Sequence, residues 1–143
     1  MTEKRKILIL CTGNSARSQM AEGILNDMGP GKYEVFSAGT KPGLVRPEAV
    51  KAMDEIGIDI SGHRSKSVDE FFGVEMDVVL TVCDNAKQNC PYFPAKTSLI
   101  HHAFEDPAEV EGDEQTRMDA FRSVRDEISK YLENEFVHVL DTK

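Results

Sequence analysis

Cys11 and Arg17 are separated by five residues in the run Cys11-Thr12-Gly13-Asn14-Ser15-Ala16-Arg17-Ser18, which follows the apolar stretch Ile7-Leu8-Ile9-Leu10 without a break. A thiol attacks as its thiolate, and a guanidinium is a fixed cation whose forked donors suit a tetrahedral oxyanion. Five intervening residues let the backbone fold back, so that successive N–H groups converge near the first turn of a following helix. Thr12, Gly13, Asn14, Ser15, Ala16, Arg17 and Ser18 are therefore expected to hold an oxyanion, with Cys11 as its attacker. The same donors, the helix end and Arg17 favour the ionised sulfur, which predicts that Cys11 titrates below the free-cysteine value of about 8.5. Asn14 and Ser15 read as supports of the loop. The Ser18 hydroxyl has two possible uses, donation to the Cys11 sulfur or capping of the helix.

Two further thiols, Cys83 and Cys90, bring the count to three. An odd number without CxxC spacing argues against a disulfide framework and for thiols that do chemistry. Asp106, followed by Pro107, is a carboxyl able to carry a proton, although it lies in the acidic stretch 105–114. The four histidines give no metal site. His101 and His102 alternate faces of an extended strand, and His63 and His138 lack zinc-type spacing to any cysteine. Neither a metal nor an organic cofactor is required.

The positioning elements are legible as apolar periodicities. Ile7 to Leu10 is a continuous apolar run of the sort a doubly covered parallel strand shows. From Ser18, the positions Met20, Ala21, Ile24, Leu25 and Met28 have helical spacing, stopped by Gly29-Pro30-Gly31. A second strand spans Tyr33 to Gly39, and a second helix runs from Pro47 to Ile56 with Gly57 as its stop. Ser67-Val68-Asp69-Glu70 reads as a capped short helix anchored by Phe71 and Phe72. Asp77 to Val82 gives a third strand ending at Cys83, and Thr97 to His102 a fourth. Met118, Phe121, Val124, Ile128 and Leu132 mark a long amphipathic helix from about Thr116. Alternating strands and helices imply an α/β domain with a parallel sheet covered on both faces, whose ligand site lies beyond the carboxyl ends of the strands. Cys11, Cys83 and Asp106 all fall there.

At 143 residues the chain is one domain in length, read as a single unit over 1–143. Hydrophobic and charged contents of 40% and 29% are those of a globular protein. Nothing resembles a signal peptide or a membrane span, so a cytoplasmic location is expected. The net charge of −8 argues against nucleic acid or an anionic membrane as partner.

The Cys-x5-Arg-Ser loop near the N-terminus resembles that of the low-molecular-weight tyrosine phosphatase superfamily, over about Lys6 to Leu132. Within it the chain looks more like an arsenate reductase than a phosphatase. Phosphatases of the group usually place an aromatic residue beside the Asp-Pro pair and often carry a second cysteine in the loop. Here Ala108 and Glu109 follow Pro107, and Ala16 occupies the loop position.

The resemblance implies a three-layer sandwich with a four-stranded parallel sheet in the order 2-1-3-4, which makes the first and third strands neighbours about 4.8 Å apart. Reduction of arsenate takes two electrons, and three thiols suit it. Cys11 would attack with Arg17 and the loop amides holding the anion, and Asp106 would protonate the departing oxygen. Cys83 would then attack Cys11, and Cys90 would resolve that disulfide.

Seven helical steps would hold the Cα atoms of Cys83 and Cys90 about 10.5 Å apart, and a disulfide accepts at most about 7 Å. The polar stretch between them is therefore expected to open. The resemblance names thioredoxin as reductant, with a glutathione and glutaredoxin route used by relatives, and phosphate or sulfate as competing anions. Some relatives hold potassium through an asparagine, a serine and an aspartate. Asn14 and Ser37 fit that pattern, whereas Lys66 stands in place of the aspartate. A tyrosine phosphatase and a non-enzymatic soft-metal sensor are the alternative readings.

Overall fold

The computed structural model describes residues 4–29, 31–71, 73–88 and 97–141, so Pro30, Phe72 and Cys90 lie outside the described residues. Four strands, β1 (Arg5–Cys11), β2 (Tyr33–Gly39), β3 (Val78–Thr81) and β4 (Ser98–His101), form a parallel sheet in the order β2-β1-β3-β4. The expected order is found. Ile7, Leu8, Ile9 and Leu10 have 0% exposure. Successive strand residues point to opposite faces, so both faces are covered and the layers number three. No helix of the described residues is long and apolar enough to cross a membrane.

The covering helices are α1 (Arg17–Met28), α2 (Pro47–Asp54), α3 (Asp84–Gln88), α4 (Glu114–Tyr131) and α5 (Val137–Asp141). α4 packs on α1 and α2. It also sends Arg122 and Arg125 to Glu55 at the end of α2, at 2.7 and 3.0 Å. The hydrogen bonds from Arg122, aided by Arg125, hold the Glu55 carboxyl down at about 2. This clasp, buried at Arg125 and open at Glu55, ties α2 to α4.

Several boundaries differ from the sequence expectation for local reasons. α1 starts at Arg17 rather than Ser18, and no side chain caps it. α4 starts at Glu114, because the Asp113 side chain accepts from Thr116 N at 2.8 Å and fixes the entry two residues before the expected start. After α4 the backbone widens into a π turn over Leu132–Phe136 that buries Leu132 and Phe136, and α5 continues from it. The capped segment after Ser67 is a 3-10 turn over Val68–Phe71, with Ser67 Oγ accepting from Asp69 N at 3.1 Å.

β1 and β2 end together, with Cys11 opposite Gly39 in register. Gly39 N donates to Lys66 O at 2.8 Å, and Gly39 also bridges Ser67. A Cβ at Gly39 would overlap Thr12 O and come within 2.9 Å of Asn14 N. Only hydrogen fits between strand end and loop. Gly39→Ala is expected to cost about 1–3 kcal/mol of stability through overpacking and to displace the 12–14 backbone. Comparing urea melts with and without phosphate checks this: the variant should lose the stabilisation that phosphate gives the parent.

Candidate active site

Each backbone carbonyl from Cys11 to Ser15 is engaged. Cys11 O accepts from Thr40 N (3.2 Å), Thr12 O from Lys41 N (2.8 Å), Gly13 O from Gly43 N (3.1 Å) and Ser15 O from Arg46 N (2.8 Å). Ser65 Oγ also donates to Gly13 O at 2.8 Å, and Gln19 Nε2 to Asn14 O at 3.1 Å. With its carbonyls tied to segments 40–46 and 64–66 and to α1, the loop turns its N–H groups toward the sulfur it encloses. Asn14 N donates to Cys11 Sγ at 3.1 Å.

Asn14 is the pivot of this turn. Its φ is +48°, a left-handed conformation that asparagine tolerates better than most residues. Its side chain has 0% exposure, and both ends are used twice. Nδ2 donates to Ser18 Oγ (2.7 Å) and Ser37 Oγ (3.0 Å), while Oδ1 accepts from Gln19 Nε2 (2.9 Å) and Lys66 N (2.8 Å). A carboxamide has two donor hydrogens and two acceptor lone pairs, so Asn14 is saturated.

The chain of bonds continues below it. Ser37 Oγ donates to Glu22 Oε1 (2.6 Å), Gln19 Oε1 pairs with His63 Nδ1 (3.0 Å), and Lys66 Nζ lies 3.9 Å from Glu22 Oε1 while donating to Arg64 O (3.1 Å). Among the described residues, no buried side-chain nitrogen or oxygen lacks a partner.

Cys11 itself is 2% exposed, and its Sγ lies 2.8 Å from Ser18 Oγ. Of the two uses open to Ser18, the structure selects contact with the sulfur. Burial pushes the Cys11 thiol up from its ordinary value, against the opposing pull of Ser18, Arg17 and the Asn14 N–H. This corrects the sequence expectation of a lowered value. The loop donors are present as expected, but the sulfur is so far from solvent that desolvation outweighs them.

Arg17 donates through Nη1 to Phe104 O at 3.1 Å, and its Nη2 lies 3.6 Å from Asp106 Oδ2. Asp106 is ordered by its own turn, its Oδ1 accepting from Ala108 N at 3.0 Å. Cys83 follows β3 and heads α3. Its Sγ lies 3.3 Å from Thr12 Oγ1 and accepts from Ala86 N at 3.4 Å. Cys11 and Cys83 are both free thiols.

The structure thus brings Cys11, Thr12, Asn14, Arg17, Ser18, Cys83 and Asp106 to one rim. Ser15 and Ala16 serve through their backbone, and Cys90 lies outside the described residues. Sequence reasoning passed over Glu22 and Gln19. Their signal was a Gln and a Glu three apart on a helix that is otherwise buried at Met20, Ala21, Ile24 and Leu25.

Two outcomes test this geometry. Asn14→Ala leaves Lys66 N without its partner and takes one bond each from Ser18, Ser37 and Gln19, which keep others; at roughly 1–3 kcal/mol for the orphaned group and about 0.5–1.5 kcal/mol for each further bond the fold should lose about 3 kcal/mol or more in a urea melt. In a background lacking Cys83 and Cys90, alkylation of Cys11 by iodoacetamide should accelerate with pH through a range above that of an ordinary thiol. Ser18→Ala should slow it by about tenfold at pH 8, since a hydrogen bond to the sulfur anion is lost.

The chain matches the low molecular weight phosphotyrosine protein phosphatase family over residues 6–143. It is 45% identical over 129 residues to an arsenate reductase of Halalkalibacterium halodurans, covering 90% of this chain and 93% of that one. It superposes on a solved arsenate reductase in an oxidized state with a TM-score of 0.80 at 32% identity, over 94% of this chain and 98% of the other. A second structure, of an arsenate reductase in a phosphate binding state, gives a TM-score of 0.69 at 32% identity over 91% and 95%. With its anion loop, its Asp-Pro turn and a second thiol against the loop, the chain belongs to the low molecular weight phosphotyrosine protein phosphatase family, among that family's arsenate reductases.

Proposed function

We propose that the protein reduces arsenate to arsenite by passing electrons through Cys11, Cys83 and Cys90 in turn. The observation that carries this reading is the 3.3 Å contact between Cys83 Sγ and Thr12 Oγ1, which hangs the second sulfur on the loop that encloses the first. A phosphatase has no use for it.

In the first step the Cys11 sulfur bonds to arsenic and one arsenic–oxygen bond breaks. That oxygen leaves as water with two protons, the one it already carries and the thiol's, the latter passed on through Asp106, which returns to its starting protonation state. Arg17 and the loop N–H groups hold the remaining charge, and Asp106 sits beside Arg17 to hand a proton to the departing oxygen. The raised thiol of Cys11 suits this order, because the incoming oxyanion is itself a base for the proton.

In the second step Cys83 attacks Cys11. A sulfur–sulfur bond forms, the sulfur–arsenic bond breaks, and arsenic keeps the pair and leaves as arsenite with the Cys83 proton. The Ala86 N–H holds the Cys83 sulfur at the head of α3, and the attack is made by its thiolate.

In the third, Cys90 attacks Cys83 and returns Cys11 to the thiol. α3 over Asp84–Gln88 is helical, and helical spacing would hold a residue seven positions on beyond disulfide reach of Cys83, so the relay calls for this segment to open. An external dithiol protein of the thioredoxin type then reduces the Cys83–Cys90 bond, with glutathione and glutaredoxin as the second route. Phosphate and sulfate share the tetrahedral shape and compete for the loop. A cytoplasmic setting, where thiols stay reduced, suits the cycle.

Single-turnover assays without external reductant test the sequence of steps. The parent and Cys90→Ser should each release about one arsenite per chain, the latter stopping with Cys11 bonded to Cys83 in a peptide map. Cys83→Ser should release none. Arsenite from Cys83→Ser at the parent's yield would overturn the relay.

A further inference from the structure

His101 closes a bridge over the turn that carries Cys83. In β4, at its final residue, the ring lies with Nδ1 2.7 Å from Thr81 Oγ1 and Nε2 3.0 Å from Asp84 Oδ1. Thr81 is the last residue of β3, and Asp84 is the first of α3. One imidazole therefore holds the residues on both sides of Val82-Cys83. The backbone repeats the tie, since His102 N donates to Thr81 O at 3.0 Å and Thr81 pairs with His101 in register. A carboxylate only accepts, so Nε2 carries a hydrogen toward Asp84, and in the neutral ring Nδ1 accepts from the Thr81 hydroxyl. The neighbouring ring of His102 faces elsewhere, stacked on Tyr131 with centroids 3.9 Å apart.

The bridge matters because of what it spans. Cys83 is held at its sulfur by two long contacts, 3.3 Å to Thr12 Oγ1 and 3.4 Å from Ala86 N, the latter in a helix of only five residues. A helix that short contributes little rigidity of its own. We propose that His101 is a positioning residue for the attack of Cys83 on Cys11, fixing the turn from β3 into α3 by joining Thr81 to Asp84.

This inference rests on the exchange between Cys83 and Cys11 set out above. In that exchange the Cys83–Cys11 bond forms, the Cys11–arsenic bond breaks, and the electron pair and the Cys83 proton leave with arsenite. The reaction is steep in geometry, so freeing the turn should lower its rate without touching the anion loop.

The test is rapid-quench arsenite release in a single turnover. His101→Leu, which keeps bulk but bonds to neither neighbour, should slow release by about tenfold. The arsenate concentration giving half-maximal rate, and the affinity for phosphate, should stay within about twofold of the parent. His101→Gln carries an amide oxygen and nitrogen in place of the two ring nitrogens and should recover most of the rate. Asp84→Ala, at an 80% exposed side chain, should fold as the parent does and slow release as well. Release from His101→Leu and Asp84→Ala within twofold of the parent would overturn the assignment, as would a slow His101→Leu whose phosphate affinity falls equally. Cys83→Ser run beside them separates the two ideas. If it releases no arsenite while His101→Leu is fast, only the role of His101 falls; if it releases arsenite, the relay falls too.

Discussion

The saturated carboxamide of Asn14 is the constraint on which the site depends. A backbone loop that turns its N–H groups inward must turn its carbonyls outward, and something must hold the strained residue at the bend. Asn14 does this from a fully buried position at φ +48°, bonded to Ser18, Ser37, Gln19 and the backbone of Lys66. These partners come from α1, β2 and the segment before the 3-10 turn. Through them one side chain ties the start of the next helix and two regions distant in sequence to the loop that encloses the nucleophile. Buried polar networks are costly when incomplete and rigid when complete. Here the network is complete among the described residues, and rigidity is what an anion cradle needs.

The sheet supplies the other half of the arrangement. Parallel strands β1 and β3 are neighbours and end at the same rim, so Cys11 and Cys83 are brought together although 72 positions separate them. The Asp-Pro turn after β4 reaches Arg17 from the far side. Each reactive group therefore sits at or beyond a strand terminus, where backbone geometry is set by the sheet and side chains are free to face a ligand.

Much of this was legible beforehand, for definite reasons. Apolar runs such as Ile7 to Leu10 and Val78 to Leu80 are unambiguous because a strand covered on both faces leaves no room for polar residues. The spacing of Cys11 and Arg17 fixed the loop. The Asn14 network was harder to see: Gln19 and Glu22 lie at positions that read as the wet side of a helix, while α1 is buried almost all round. The direction in which the Cys11 thiol shifts was misjudged, since donors can be counted in a sequence and depth cannot. The π turn over Leu132–Phe136 carries no residue signature, for it arises from how α4 and α5 must bend to bury Leu132 and Phe136. His101 is a fourth case. As one of an adjacent histidine pair it gave no hint that its two nitrogens bracket a cysteine from the neighbouring strand.

The depth of Cys11 has a bearing on how such a protein survives between encounters with its target. Peroxide oxidises cysteine by way of the sulfur anion and leads, past sulfenic acid, to forms that thiols do not restore. A sulfur that is 2% exposed and walled in by Asn14, Ser18 and the loop offers little surface to a small diffusing oxidant. The burial that shapes the loop around the sulfur thus also limits its contact with oxidants, without any separate shield.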